Sequence, residues 1–198
     1  EETAAGEGAG FREITRRKPF GMKIDRVMLV RMRLLAIGDI HGCITALNAL
    51  LEELKPEAED VVVTLGDYVD RGPDSRAVID RLLALRRETT LVPLLGNHDR
   101  LFLEAVAGSR INLQGWLAVG GHETMESYGS MNAVPEGHLE FLWNDCRLWH
   151  APAGESVFFV HGSARPDLPL ESQTEEWLLW RRVHEAGRIH QSGRVMIC

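Results

Sequence analysis

Short apolar runs recur along this chain, and four of them end alike, at a glycine beside a side chain able to bind a metal. Leu34-Leu35-Ala36-Ile37 leads into Gly38-Asp39-Ile40-His41-Gly42, and Val61-Val62-Val63-Thr64-Leu65 into Gly66-Asp67. Residues 91–95 lead into Gly96-Asn97-His98-Asp99, and Val157-Phe158-Phe159-Val160 into His161-Gly162. Runs this short, apolar and β-branched predict buried strands, and the glycines let the backbone turn. A fifth run, Val195-Met196-Ile197-Cys198, has the same look. Between the early runs the period changes: Leu47, Leu50, Leu51 and Leu54 share one helical face, as do Val78, Ile79, Leu82 and Leu85. Asp74 or Ser75 is placed to cap the second helix. Strand, helix, strand alternation predicts a largely parallel sheet, and such sheets hold their ligands outside the carboxyl ends of the strands. Four polar strand ends then converge on one cleft.

The later segments carry weaker patterns. Residues 116–128 (WLAVGGHETMESY), with paired glycines and His122, read as an ordinary helix-and-loop insertion, with a segment that overhangs the cleft and selects substrates as the other reading. His138, Leu139, Phe141, Leu142 and Trp143 predict an amphipathic helix packed on the core. Trp177, Leu178 and Trp180 are expected in the core. His184 and His190 are expected on the surface, and residues 166–169 at the rim of the cleft.

Bulk properties narrow the function classes. The chain has 198 residues, 44% hydrophobic and 26% charged, which suits an ordinary globular protein with one sizeable core. A net charge of −7 argues against a nucleic-acid partner, which calls for a basic face. A small phosphorylated substrate is still compatible, because a bound metal reverses the local field. Cys43, Cys146 and Cys198 are widely spaced and form no CxxC pair, which fits a reducing, cytoplasmic setting. No apolar run reaches membrane-spanning length. Residues 1–31 open with Gly, Ala and Glu and then carry Arg16-Arg17-Lys18, so they read as a disordered extension, with the folded domain expected over residues 32–198.

The densest chemistry lies in GDYVDRGPDS, which starts at Gly66. Asp67, Asp70 and Arg71 crowd a strand end, an arrangement that costs desolvation and repulsion unless a cation or an anionic ligand resolves it. An acidic loop with an internal Asp-Arg pair is the plain alternative. Asp39 and His41 stand two apart, so on an extended segment both face one way and can hold one cation. Asp67 can bridge it to a second, bound by the Asn97 amide oxygen and by His161. Asn97 is equally good as a turn residue, His98 as a helix-start histidine and His161 as a core histidine; their joint placement at strand ends favours the site. Carboxylate, imidazole and amide ligation without thiolate suits Mn, Fe or Zn. Two such cations would activate a bridging water and clamp a transferring phosphoryl group. His98 is then the natural proton donor, Asp70 its orienting partner, and Arg71 a planar fork for phosphate oxygens.

GDIHG, GDYVDRG and GNHD, in this order and spacing, resemble the calcineurin-like metallophosphoesterases, most closely the phosphoprotein-phosphatase branch and its small bacterial and phage members. The resemblance runs from about Arg33 to the end of the chain. It implies an α/β fold, a four-layer αββα sandwich of two mainly mixed sheets flanked by helices, and a two-metal centre hydrolysing phosphomonoesters. By position, Asp39, His41 and Asp67 resemble ligands of the first metal, and Asp67, Asn97 and His161 ligands of the second. His98 with Asp70 resembles the family's acid dyad. Arg71, Arg182 and Asn97 resemble its phosphate-binding residues. Relatives carry a further Gly-His-Thr motif after a late strand, where this chain reaches Cys198, so the last strands and one ligand are expected to be missing. The function implied is a manganese-dependent serine/threonine protein phosphatase that acts as a monomer on phosphorylated proteins or small phosphoesters, with no nucleic-acid or membrane partner. A symmetrical dinucleoside tetraphosphatase and an inactive remnant lacking a ligand are the alternatives.

Overall fold

The first three apolar runs form strands because each is β-branched or leucine-rich and each is stopped by a glycine or proline. The computed structural model describes residues 32–108 and 110–198, so the extension read over 1–31 lies outside the described residues. Strands β1 (Leu34–Ile37), β2 (Val61–Thr64) and β3 (Thr90–Pro93) lie side by side in that order, all parallel, with Leu34 opposite Val61 and Val61 opposite Thr90. Helix α1 (Ile44–Leu54) connects the first pair and α2 (Ser75–Leu85) the second. Asp74 is the cap of α2, accepting from the Ala77 N–H at 3.0 Å. Parallel pairing brings the three carboxyl ends to one edge.

Side-chain alternation in these strands separates two cores. Val62 turns toward the helices, into a cluster with Leu47, Leu51, Val78, Ile79, Leu82 and Leu85. Val63, Leu65, Val92 and Leu94 face the other way and meet Phe159, with Val157 and Ile197 at the margin. Those last residues belong to a second sheet, ordered β4 (Trp149–His150), β5 (Val157–Val160) and β6 (Val195–Ile197). Here β5 is antiparallel to β4 and parallel to β6. The outer face of β5 carries Phe158 and Val160 into a third cluster with Ala164, Leu170 and Leu178, the last from α7 (Glu175–Trp180). Helices, sheet, sheet and helix thus stack as an αββα sandwich. Each fully buried Val, Leu or Phe in it contributes about 1.5–3 kcal/mol.

Between β3 and β4 the chain is helical: α3 (Asn97–Val106), α4 (Arg110–Trp116), a kinked stretch over Leu117–Gly121, α5 (His122–Tyr128) and α6 (Glu136–Glu140), which runs on through a π turn over Phe141–Asp145. His138, Phe141 and Leu142 of the expected amphipathic helix are buried, while Trp143 at its flank is exposed and lies against the Arg100 guanidinium. A short α8 (Val183–Ala186) precedes β6.

Four expectations need correction. Leu50 is 40% exposed, because it lies one residue, or about 100° of helix turn, away from the buried Leu51. Trp180 is 48% exposed, since α7 ends there and only Leu178 and Leu179 face inward. His190 is buried rather than at the surface: its ring packs 5.0 Å from that of Phe158 and its Nε2 meets the Leu168 carbonyl at 2.8 Å. Pro169 shares a hollow with that same His190 and does not border the cleft at the strand ends. His184 is exposed, as expected. Cys43, Cys146 and Cys198 are free thiols. No helix among the described residues is long and apolar enough to cross a membrane.

Candidate active site

Strand ends only expose side chains; the loops must then hold them in place. The loops after β1 and β2 are laced together, with the Ile40 and His41 N–H groups donating to Asp67 O (3.1 and 2.8 Å) and the Gly42 N–H to Tyr68 O (2.9 Å). Among the described residues, five that are not glycine have positive φ, and four of them are expected site residues: His41 (45°), Asp67 (53°), Asp70 (73°) and Arg71 (66°). Each such residue costs of the order of 1–3 kcal/mol and persists only where its surroundings over-determine it. One restraint is Asp99, which sequence reasoning left without a role. Its fully buried carboxylate accepts from the N–H groups of Asp67 (2.8 Å), Tyr68 (2.9 Å) and Gly96 (2.9 Å), tying the second loop to the first turn of α3. Burial, and then the neighbouring Asp67 charge, push the Asp99 carboxyl well above its usual range, against the pull of those three donors. Its place as the fourth letter of GNHD was the available signal.

Hydrogen-bond accounting fixes what the imidazoles offer. His41 Nδ1 lies 2.8 Å from Val69 O and His161 Nδ1 2.8 Å from Leu65 O. A carbonyl only accepts, so each Nδ1 carries a proton, and in the neutral ring each Nε2 presents a lone pair. His41 Nε2 is 3.3 Å from Asp67 Oδ2; His161 Nε2 is 3.5 Å from Asp67 Oδ1 and 2.8 Å from Asn97 Oδ1. Asp39, half exposed, lies between them, 4.0 Å from His41 Nε2 and 3.9 Å from His161 Nδ1. Acceptors therefore face acceptors on both sides of Asp67, an arrangement that a cation on each side relieves. Two sets of potential ligand atoms, His41, Asp67, His98 and Asp39, Asp67, His161, each lie within 4.8 Å of one another. The oxygen and nitrogen donors fit divalent ions of the Mn, Fe or Zn kind.

Beside this cluster, His98 opens α3, 3% exposed, with Nδ1 at 2.8 Å from Asp70 Oδ2. Arg71 spans the two imidazoles, its Nη1 at 3.1 Å from His41 Nε2 and its Nη2 at 2.7 Å from His98 Nε2. Asp39, Asp67, Arg71, Asn97, His98, His161 and Arg182 all line one cleft of about 490 Å³, with Leu179, Trp180 and Val183 in its wall. Every residue expected at the site is thus in this cleft or, for His41 and the fully buried Asp70, in direct contact with one that is. Two further side chains, Trp116 and Thr124, both fully buried, hydrogen-bond the Asp70 carboxylate from below the cleft at 2.8 Å each. His122, in the same segment, is exposed and does not line the cleft.

Comparison with known proteins agrees with this chemistry. A serine/threonine-protein phosphatase 1 of Salmonella typhimurium is 42% identical over 86 residues, 43% of this chain and 37% of that protein. A symmetrical bis(5'-nucleosyl)-tetraphosphatase of Paracidovorax citrulli is 45% identical over 148 residues, 73% of this chain and 49% of that protein. The chain therefore spans at most about half the length of these curated relatives. A crystal structure of a provisionally assigned diadenosine tetraphosphatase matches with 25% identity and a TM-score of 0.57, over 73% of this chain and 56% of that one. The family model for calcineurin-like phosphoesterases matches residues 32–193, all the way from β1 into the approach to β6, and the chain belongs to that family of hydrolases.

Proposed function

We propose that this chain carries the two-cation centre of a phosphomonoesterase, a serine/threonine protein phosphatase that works with manganese. The carrying observation is the Asp67 carboxylate, set 3.3 and 3.5 Å from the Nε2 atoms of His41 and His161, with His98 in the same cleft and Asp70 at 2.8 Å from its Nδ1. Asp39, His41 and Asp67 would hold one cation, and Asp67, Asn97 and His161 the other. When bound, such a pair supplies Lewis acidity toward phosphoryl oxygens and a nucleophilic water at neutral pH. The chain's own residues do the rest. Arg71 presents two N–H groups that a phosphate dianion takes over from the imidazoles, which frees His98 Nε2 to face the leaving oxygen. Once its freed Nε2 has taken up a proton from solvent, His98 delivers that proton there, while Asp70 accepts from Nδ1–H and stabilises the charged ring. Arg182 and Asn97 line the cleft where the phosphoryl oxygens and their neighbours would lie.

A second reading has its own support. The relative matched over 73% of this chain is a tetraphosphatase, and a two-cation centre can clamp the oxygens of a phosphoanhydride as well as those of a phosphoester. The test separates the two. The 198-residue chain, with Mn²⁺, is given a phosphoserine peptide, an aryl phosphate and diadenosine tetraphosphate, with products resolved by chromatography. The expected result is release of phosphate from the peptide and the aryl phosphate, with His98→Asn slower by about 10²–10⁴-fold. Faster turnover of the dinucleotide moves the assignment to the second reading. Equal turnover in EDTA overturns both.

A further inference from the structure

Residues 116–124 look in the sequence like any short helix and loop, yet they close on the proton-donating pair. We propose that Trp116 and Thr124 are positioning residues that fix the Asp70 carboxylate and, through it, the His98 ring. The inference rests on the reading of His98 as the proton donor.

The Asp70 carboxylate is completely buried and its contacts are directional. The Trp116 indole N–H points at it from 2.8 Å (Oδ1) and 2.9 Å (Oδ2), and Thr124 Oγ1 lies 2.8 Å from Oδ1. Thr124 thus loads Oδ1 and Trp116 both oxygens, and Oδ2 is the oxygen that also meets His98 Nδ1 at 2.8 Å. Thr124 holds Asp70 at both ends. Its oxygen also accepts from the Asp70 N–H at 2.8 Å, which leaves the hydroxyl proton for the carboxylate. Only a hydroxyl can accept and donate this way, so serine can replace threonine and valine cannot.

The segment is shaped for the task. The chain kinks within Leu117–Gly121, where Gly120 leaves the helical backbone. Within it Gly120, at φ 118°, turns its carbonyl to accept the Arg71 N–H at 3.0 Å. Gly121 lies flat on the Trp116 ring, where a Cβ would fall 2.4 Å from ring carbons. Asp70 and Arg71, both left-handed, therefore have their N–H groups held by Thr124 and Gly120 of this one segment. A helix that served only to fill the core would need neither donor aimed at this carboxylate, because a buried indole N–H is satisfied by any acceptor.

The test uses Trp116→Phe, which keeps the ring and removes the N–H, Thr124→Val, and Thr124→Ser as the conservative control. Aryl phosphates running from a good leaving group (2,4-dinitrophenolate) to a poor one (phenolate) are hydrolysed by the Mn²⁺-loaded chain. A misplaced proton donor slows the poor leaving group by about 10- to 100-fold and barely touches the good one. That pattern in kcat is expected for Trp116→Phe and Thr124→Val, with Thr124→Ser near wild type. A loss uniform across the series in Trp116→Phe and Thr124→Val, or no loss, overturns the proposal. His98→Asn shows which idea has failed: if it does not steepen the leaving-group dependence, the proton-donor reading falls and takes this inference with it. A readout without turnover covers a slow or unstable variant. With ring-labelled histidine, the Nδ1–H resonance missing from His98→Asn is expected to persist in Thr124→Ser and to vanish by solvent exchange in Thr124→Val. Its persistence unchanged in Thr124→Val also overturns the proposal.

Discussion

Asp67 meets two conflicting demands. It sits at φ 53° with its carboxylate between two imidazole lone pairs and close to the buried Asp99, whose carboxyl its charge helps to push upward. With both rings neutral and no metal bound, these contacts repel. Asp67→Asn keeps an oxygen for the His98 N–H, now at 3.0 Å, and turns an amide donor toward His41. Relief of about 1 kcal/mol raises the melting temperature of a chain this size by about 2–4 °C. The metal-free variant is accordingly expected to melt higher than wild type and to bind Mn²⁺ at least about 100-fold more weakly, as read by scanning calorimetry and by titration. A variant that melts lower without metal would contradict this account of Asp67. At this scale the sequence was legible wherever a ligand-type residue stood beside a glycine at the end of an apolar run, as for Asp39, Asp67, Asn97 and His161. It was silent on Trp116 and Thr124, whose partner Asp70 is 46 and 54 residues away, in a segment with no unusual composition. Asp99 lay in view and was passed over because its work is done on backbone N–H groups, which leave no sequence trace.

Elements here are joined by charged clasps as well as by apolar faces. The Asp60 carboxylate, at the start of β2, accepts from the Arg33 backbone (3.0 Å) and Nε (3.0 Å) and from the Glu57 N–H (2.8 Å). The Arg33 guanidinium continues to the Leu54 and Lys55 carbonyls, so one residue pins the start of β1 to the end of α1. Hydrogen bonding from Arg33 holds the Asp60 carboxyl well below the usual carboxylate range. The sign follows from linkage: a carboxyl lowered on folding stabilises the native state fully above its unfolded value, near pH 4, and loses that contribution as pH falls toward the folded value. The stability gap between wild type and Asp60→Asn in urea melts is therefore expected to be constant above about pH 5 and to narrow steadily below pH 4; a gap that widens on acidification would refute the clasp. The element pattern itself was largely open to reading. Val78, Ile79, Leu82 and Leu85 are all buried, as their spacing requires. The failures lie where an element ends or is very short. Trp180 is exposed because α7 stops at it, and β4, at two residues, is below what periodicity can detect.

The two sheets are coupled through one imidazole. His161 stands at the end of β5 in the second sheet, yet its Nδ1 donates to Leu65 O beyond β2 in the first, and its Nε2 faces Asn97 at the start of α3. Cations bound between Asp67, His41 and His161 would therefore tie both layers of the sandwich, and the −7 net charge favours their approach. A ligand that binds only the native state stabilises it by about 2.7 kcal/mol at 100 times its Kd, or about 5–10 °C for a chain of this length. Mn²⁺ is expected to raise the melting temperature by that amount, and EDTA to reverse it. His161→Ala removes the second sheet's ligand and leaves Asp39, His41 and Asp67, so metal analysis should find one cation per chain in place of two, with about half of the thermal shift. Because the first sheet keeps its own cation in that variant, a full loss of the shift would mean that the two sites load as a unit. An unchanged shift would place the stabilising cation away from His161 altogether, and with it the idea that the metal centre fastens one sheet to the other.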